Sequence, residues 1–217
     1  MEFIDPKKIF GLGTGSTVNL LINKIHETFI LNGQSITAVS TSKETTDFAS
    51  NLGINIIDLD HVDELDVVID GADEVDPKNN LIKGGGGALL MEKIVANHSK
   101  QFVVIVDTSK LVSKLGKFPL PIEIVQFGSE KTKESVERVL IESGYKTPKV
   151  IFRRSATNKY VTDQQNYILD LHLDEIQDPY SLYQRLLAIV GVVEVGLFIN
   201  MASKIIVGDD DGSCRVI

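Results

Sequence analysis

The stretch Leu65 to Asp76, LDVVIDGADEVD, decides how this chain is read. Its first part, Leu65 to Ile69, is largely apolar, and its second, Asp70 to Asp76, crowds four acids around Gly71. An apolar run that stops at acids reads as a buried strand carrying carboxylates to the sheet edge where open α/β folds bind ligands. Soon after comes KGGGGALLMEK, Lys83 to Lys93, in which a lysine precedes four glycines and a helix-patterned segment carries Glu92. A glycine run beside a lysine exposes backbone N–H groups and one positive charge to an anion. Four glycines in a row lose much conformational freedom on folding, so the run is read as a close approach of backbone to ligand. Taken singly, each feature has a plainer account: a solvated turn, a flexible connector, a surface lysine, a helix-face charge. Their joint position gives carboxylates for proton transfer and donors for an oxyanion, the equipment of an enzyme acting on a small anionic substrate.

Outward from this centre, short apolar runs alternate with helix-patterned segments. Lys8 to Phe10 ends a strand that runs into GLGTGST, Gly11 to Thr17. Val18 to Ile30 carries a helical stripe of Leu20, Leu21, Ile25 and Phe29. Ile36 to Val39, Ile54 to Ile57 and Phe102 to Val106 read as further strands, and Ser42 as the cap of a helix through Ala49. The expected fold class is α/β, an open parallel Rossmann-like sheet with helices on both faces. After Pro119 the rhythm changes. Leu120 to Val125, Lys149 to Phe152, Tyr167 to Leu171 and Val192 to Phe198 read as strands, with helices over Glu130 to Ser143 and Tyr180 to Ile189. They predict a smaller α+β, ferredoxin-like domain. Residues 1–125 with 200–217 are expected to form the catalytic domain, and 126–199 a small lid or oligomerisation domain. Lys204 to Val207 and Cys214 to Ile217 flank Asp211-Gly212, a hairpin signal.

A net charge of −8 argues against a nucleic-acid partner, although isolated basic residues can still hold one phosphate. No apolar run reaches membrane-spanning length, and Glu2, Asp5 and Pro6 interrupt any signal-peptide core. Cys214 is the single cysteine, which fits a reducing compartment, so a cytoplasmic location is expected. His26, His61, His98 and His172 are dispersed without metal-ligand spacing, and no metal site is expected. GLGTGST departs from a dinucleotide fingerprint in its glycine spacing and from a Walker loop in lacking a lysine. It reads equally as a plain tight turn or as a one-phosphate cradle built from Thr14, Gly15, Ser16 and Thr17 at a helix N-terminus. Lys110, after the Phe102 to Val106 strand, is a second candidate phosphate contact, with an ordinary surface lysine as its competitor.

The ordered set GTGST, DGADEVD, KGGGGALLMEK, VDTSK and LGKFPLPIE closely resembles type A ribose-5-phosphate isomerase, and NYILDLH and GVVEVGLF extend the likeness over nearly the whole chain. The resemblance implies interconversion of ribose 5-phosphate and ribulose 5-phosphate in the pentose phosphate pathway, without metal or organic cofactor, by a homodimer or homotetramer. By matching position it makes Glu92 the general base. Asp70 and Asp73, with Gly71 and Ala72 between them, would handle sugar hydroxyls and ring opening. Lys83 and the N–H groups of Gly84, Gly85 and Gly86 would stabilise the enediolate. Thr14 to Thr17 and Lys110 would line the rest of the site. Four departures stand out. Only ten residues precede Gly11, where the family usually has an amphipathic helix. Met91 stands where many relatives have arginine, Asp163 to Asn166 reads DQQN in place of DNGN, and Met201 and Ala202 follow Asn200 in a segment more often basic. The rival functions are a related sugar-phosphate deaminase, a coenzyme A transferase, or a sugar-phosphate sensor that binds without turnover.

Overall fold

The computed structural model describes residues 1–209 and 211–217. They fall into two compact units. Met1–Ala72, Met91–Thr108 and Met201–Ile217 form the first; Asp73–Leu90 and Ser109–Asn200 form the second.

The first unit is built on a seven-stranded sheet. Its order is Asn55–Ile56, Thr37–Ser40, Phe10–Leu12, Val68–Asp70, Phe102–Asp107, Lys204–Gly208, Cys214–Val216. Every neighbouring pair is parallel except the last, the hairpin signalled by Asp211-Gly212. Inner strands of such a sheet read as continuous apolar runs because both faces are covered, and Phe10–Leu12 is buried at every residue. Helix Lys43–Asn51 begins at Ser42, whose hydroxyl accepts the Thr45 N–H at 3.1 Å. Helix Ser16–Thr28 turns Val18, Ile22 and Ile25 inward, and each buried side chain of this size contributes about 1.5–3 kcal/mol. The stripe expected from the sequence is thereby corrected. Leu20 is 70% exposed, since at about 100° per residue it lies on the far side of the helix from Val18. From Phe10–Leu12 the sheet grows one way to Thr37–Ser40 and the other way to Val68–Asp70. Open α/β sheets bind ligands at such a reversal, outside the C-terminal ends of the two strands that flank it, and here Gly13 and Asp70 lie at those ends.

The second unit contains the order strand, helix, strand, strand, helix, strand: Leu120–Ile124, Ser129–Glu142, Lys149–Phe152, Tyr167–His172, Pro179–Leu187, Val192–Val195. Its sheet runs Val192–Val195, Leu120–Ile124, Tyr167–His172, Lys149–Phe152, antiparallel throughout, which is the ferredoxin-like arrangement. Val136 and Leu140 of one helix and Leu182 and Leu186 of the other join Ile122, Leu169 and Leu171 in one core. A separate antiparallel sheet pairs Glu74–Val75, Leu81–Ile82 and Leu197–Phe198.

This second sheet was not legible in the sequence, where Val192 to Phe198 reads as one strand. The break falls at Gly196, whose N–H donates to the Pro121 carbonyl at 2.8 Å while its carbonyl accepts the Lys83 N–H at 2.9 Å. One residue thus serves two sheets, and an added Cβ would sit 2.4 Å from the Lys83 oxygen. The pairing also draws the units differently from the division expected at 125 and 200. Residues 73–90 and 109–125 group with the small sheet, because Glu74–Val75 and Leu81–Ile82 pair with Leu197–Phe198 and Leu120–Ile124 is an inner strand.

Candidate active site

In the first unit the strand Val68–Asp70 ends on a carboxylate that is 1% exposed. Asp70 Oδ1 accepts the Thr14 N–H at 3.1 Å and the Gly71 N–H at 2.7 Å, while the Gly13 N–H donates to the Ile69 carbonyl at 2.9 Å. The turn after the first strand and the end of the fourth are therefore tied through one acid. Gly13 is required there, since a Cβ would lie 1.9 Å from Asp70 Oδ1. The Thr14 hydroxyl faces inward, 2.8 Å from the Thr41 and Ser42 hydroxyls, and Thr45 Oγ1 donates to the Gly13 carbonyl at 3.0 Å. Of the three hydroxyls read from GLGTGST, Thr14 braces the turn, whereas Ser16 and Thr17 are exposed. Gly15, at φ 119°, starts helix Ser16–Thr28 with no side-chain cap and no acid in its first turn. Such an end presents N–H groups to an anion. Glu92 lies in the first turn of helix Leu89–Asn97 and is 4% exposed.

The second unit carries the other half of the sequence-derived set. The chain passes into it between Ala72 and Asp73 and leaves the glycine segment between Leu90 and Met91. Asp73 is half-buried; its N–H donates to the Ile82 carbonyl at 2.8 Å, and its Oδ2 accepts the Gly85 N–H at 2.8 Å. Lys83 is 2% exposed, with its ammonium 5.5 Å from the centre of the Phe198 ring. Gly84 and Gly87 adopt positive φ of 103° and 86°, and a Cβ on Gly84 would meet Leu89 and Pro121. Gly85 and Gly86 are exposed at the loop tip. Lys110 closes the short 3₁₀ turn Thr108–Lys110 and is half-buried.

Of the four acids in DGADEVD, two are structural. Glu74, 3% exposed, accepts the Gly116 N–H at 2.7 Å and the Phe118 N–H at 2.6 Å, fixing the segment before Pro119. Asp76 accepts the Lys78 and Asn80 N–H groups at 2.8 and 2.9 Å and closes a turn. The sequence reading missed Arg153, Tyr160 and Asp170. Arg153 Nε and Nη2 bond Asp170 at 3.0 and 2.5 Å, and Nη1 donates to the Gly84 and Gly85 carbonyls at 2.8 and 2.9 Å. Tyr160 Oη donates to the Gly86 carbonyl at 3.2 Å. No local pattern signals these residues, because Arg153 and Tyr160 stand about seventy positions from the loop they hold and Asp170 acts only through Arg153.

Glu123 was also passed over. Fully buried, it accepts Thr162 Oγ1 at 2.9 Å and Asn166 Nδ2 at 3.0 Å through Oε1, while Oε2 has no hydrogen-bond partner among the described residues. Burial holds its carboxyl above the usual glutamate range. It ties down the DQQN turn, in which Gln165 takes φ 62° where glycine would be unstrained. His26 and His98 each contact a backbone carbonyl, of Leu52 and Ile94 respectively. Among the described residues no group of three His, Cys, Asp or Glu is placed to hold a metal ion, and no helix is long and apolar enough to cross a membrane.

The first unit offers buried carboxylates and an uncapped helix start, and the second a buried ammonium and a braced glycine loop. The family model for ribose 5-phosphate isomerase A (phosphoriboisomerase A) matches residues 37–212. The chain belongs to the ribose 5-phosphate isomerase A family. A ribose-5-phosphate isomerase A from Streptococcus pneumoniae serotype 19F is 49% identical over 211 residues, covering 97% of this chain and 90% of that protein. Among solved structures, ribose 5-phosphate isomerase from Plasmodium falciparum superposes with a TM-score of 0.92 at 35% identity, covering 100% of this chain and 92% of that one. A D-ribose-5-phosphate isomerase in complex with phospho-erythronic acid gives 0.90 at 37% identity, covering 100% and 93%. The expected isomerase family and mixed α/β fold are thus established, and neither the deaminase, the transferase nor the sensor reading is favoured.

Proposed function

We propose that this chain interconverts ribose 5-phosphate and ribulose 5-phosphate through an enediolate, with Glu92 as the general base. The observation that carries the reading is the glycine segment. A buried Lys83 and a braced loop with exposed Gly85 and Gly86 are followed, in the next helix, by the buried carboxylate of Glu92. Starting from the aldose, Glu92 takes the proton from C2, and the electron pair moves to the carbonyl oxygen at C1. The enediolate then takes the proton back at C1, giving the ketose. One carboxylate that reaches two adjacent carbons serves both steps. Lys83 and the Gly86 N–H supply the donors that charge development on oxygen needs. Asp70, Asp73 and the Gly71–Ala72 backbone between them serve the sugar hydroxyls, ring opening and proton transfer between O1 and O2. Ser16, Thr17, the N–H groups at Gly15 and beyond, and Lys110 hold the phosphate.

No step of this scheme calls for a metal or organic cofactor. A relative binds phospho-erythronic acid. That four-carbon phosphate ends in a carboxylate, whose charge stands in for the enediolate, and the same acid is expected to compete with substrate here. We further propose that the enzyme works in the cytoplasm, in the pentose phosphate pathway, as a homodimer or homotetramer. Phe127 and Val190, 94% and 95% exposed, supply apolar surface of the kind that such contacts cover. The direct test is conversion of ribose 5-phosphate by the purified chain, before and after exhaustive chelation. Turnover that survives chelation supports the scheme. Turnover abolished by chelator and restored by a divalent ion refutes its metal-free chemistry, and binding without turnover refutes the assignment of an enzyme.

A further inference from the structure

We propose that Arg153, oriented by Asp170, and Tyr160 are positioning residues that set the direction of the glycine-loop amides; the inference rests on reading that loop as the oxyanion site. In a planar trans peptide the carbonyl of one residue and the N–H of the next share a plane and point opposite ways. A donor on a carbonyl therefore fixes where the following N–H aims. Arg153 Nη1 holds the Gly84 carbonyl at 2.8 Å, and the Gly85 N–H on the other side of that plane meets Asp73 Oδ2 at 2.8 Å. It also holds the Gly85 carbonyl at 2.9 Å, which aims the Gly86 N–H, a donor without an acceptor among the described residues. Tyr160 holds the Gly86 carbonyl at 3.2 Å, and the Gly87 N–H returns to the Gly84 carbonyl at 3.0 Å. Three successive peptide planes are fixed in the segment whose residues have the most freedom to lose.

The geometry assigns the task to a guanidinium. Its planar fork gives Nε and Nη2 to both Asp170 oxygens and leaves Nη1 for two carbonyls, a division that a lysine ammonium cannot reproduce. The positive charge on those carbonyls also polarises the amides beyond them, which makes each a stronger donor. Both residues are delivered by one device. Arg154–Ser155 pairs antiparallel with Asn158–Lys159, Ala156 turns the chain at φ 54°, and the Tyr160 N–H closes onto the Arg153 carbonyl at 2.8 Å. A short hairpin thus reaches from the ferredoxin-like sheet to the loop. Lys159 ties it back, lying 3.4 Å above the Phe152 ring and 2.8 Å from Glu130 Oε1.

The test compares Arg153→Ala, Arg153→Lys and Tyr160→Phe with the parent chain. It measures kcat, KM, melting temperature and amide hydrogen exchange over residues 84–87. Misaiming by an ångström is expected to lower kcat of Arg153→Ala about 10²-fold with KM changed less than about threefold. Arg153→Lys should recover little of this, while ethylguanidinium added to Arg153→Ala should restore part of kcat and do nothing for Lys83→Ala. Tyr160→Phe removes one hydroxyl and no charge, so it keeps the inference testable if Arg153→Ala fails to fold. It should lower kcat roughly threefold to tenfold with the melting temperature unchanged, the scale of losing one neutral hydrogen bond. Exchange at Gly85 should quicken in Arg153→Ala and stay protected in Lys83→Ala. A folded Arg153→Ala, or Tyr160→Phe, with parental kcat and parental exchange overturns the proposal. If the parent shows no isomerase activity, the functional reading falls, and exchange at Gly85 alone decides whether Arg153 positions the loop.

Discussion

Replacing Gly13 by alanine asks most of the proposed site for the smallest change. The added Cβ would stand 1.9 Å from Asp70 Oδ1, 2.0 Å from its Cγ and 2.5 Å from its Cβ. Ordinary contact begins near 3.4 Å, so the carboxylate must retreat by about 1.5 Å. Asp70 is 1% exposed and has no solvent to turn into, so moving it breaks its bonds from the Thr14 and Gly71 N–H groups. Each bond to a charged group contributes roughly 1.5–3 kcal/mol, and with partial relaxation a loss of about 3–4 kcal/mol is expected. An acid displaced by more than an ångström should also lower kcat by about 10²-fold or more. Denaturant unfolding and steady-state kinetics measure the two effects. The decisive comparison adds Asp70→Gly, which also removes the Asp70 Cβ that alanine would leave 2.5 Å away. With the clash removed, the double variant should be more stable than the two single changes predict by at least about 2 kcal/mol, while its kcat stays low. If Gly13→Ala unfolds within about 0.5 kcal/mol of the parent, or the two changes are additive, the turn and the acid are not locked as described.

Glu92→Gln keeps shape and removes basicity, so kcat for ribose 5-phosphate should fall by roughly 10²–10⁴ with little change in substrate affinity; near-parental turnover would refute the base assignment. Lys83→Ala should lower kcat by about 10²–10³, the scale of losing an oxyanion donor, whereas a change confined to KM would mean uniform binding instead. At Glu123 the folded state holds the proton more tightly than the unfolded chain. Its contribution is therefore full below the unfolded value, declines as pH rises through the window up to the raised folded value, and is level above it. Glu123→Gln should flatten that decline in denaturation midpoints measured from about pH 4 to 8, and a decline of unchanged size would assign it to another group. Gln165→Gly should raise stability by up to about 1 kcal/mol by relieving the positive φ, read from the same unfolding curves.

The apolar runs and the acids at their ends were legible because a parallel sheet writes itself into local composition. Phe102–Asp107 is recognisable from its own six residues. The second unit's helices were equally plain, since Asp178 caps Pro179–Leu187 through the Ser181 N–H. Glu74–Val75 and Leu81–Ile82 were not, because two-residue strands carry no periodicity and exist only by pairing with Leu197–Phe198. Leu20 was misassigned for the opposite reason: helical spacing alone cannot tell an exposed leucine from a buried one. In the candidate site, residue types suited to chemistry stood out in the sequence at Asp70, Asp73, Lys83 and Glu92. The groups that fix the neighbouring loops did not. Arg153, Asp170 and Glu74 are ordinary charged residues whose partners are distant in sequence, so only folding reveals what they hold.

The order in which the sheet of the first unit is laid down has a consequence for synthesis. Phe102–Asp107 is an inner strand, yet one of its two neighbours, Lys204–Gly208, is made about a hundred residues later. Throughout that interval the nascent chain carries a six-residue apolar strand with one open edge, which is a template for pairing with another chain. The larger part of the second unit, Ser109 to Asn200, emerges meanwhile and can collapse on its core with the segment Asp73–Leu90 made earlier. A ribosome pause within that stretch would lengthen the exposure, and a chaperone that covers strand edges would shorten it. Yield in a cell should then track translation speed between codons 109 and 204 more closely than the stability of the finished molecule.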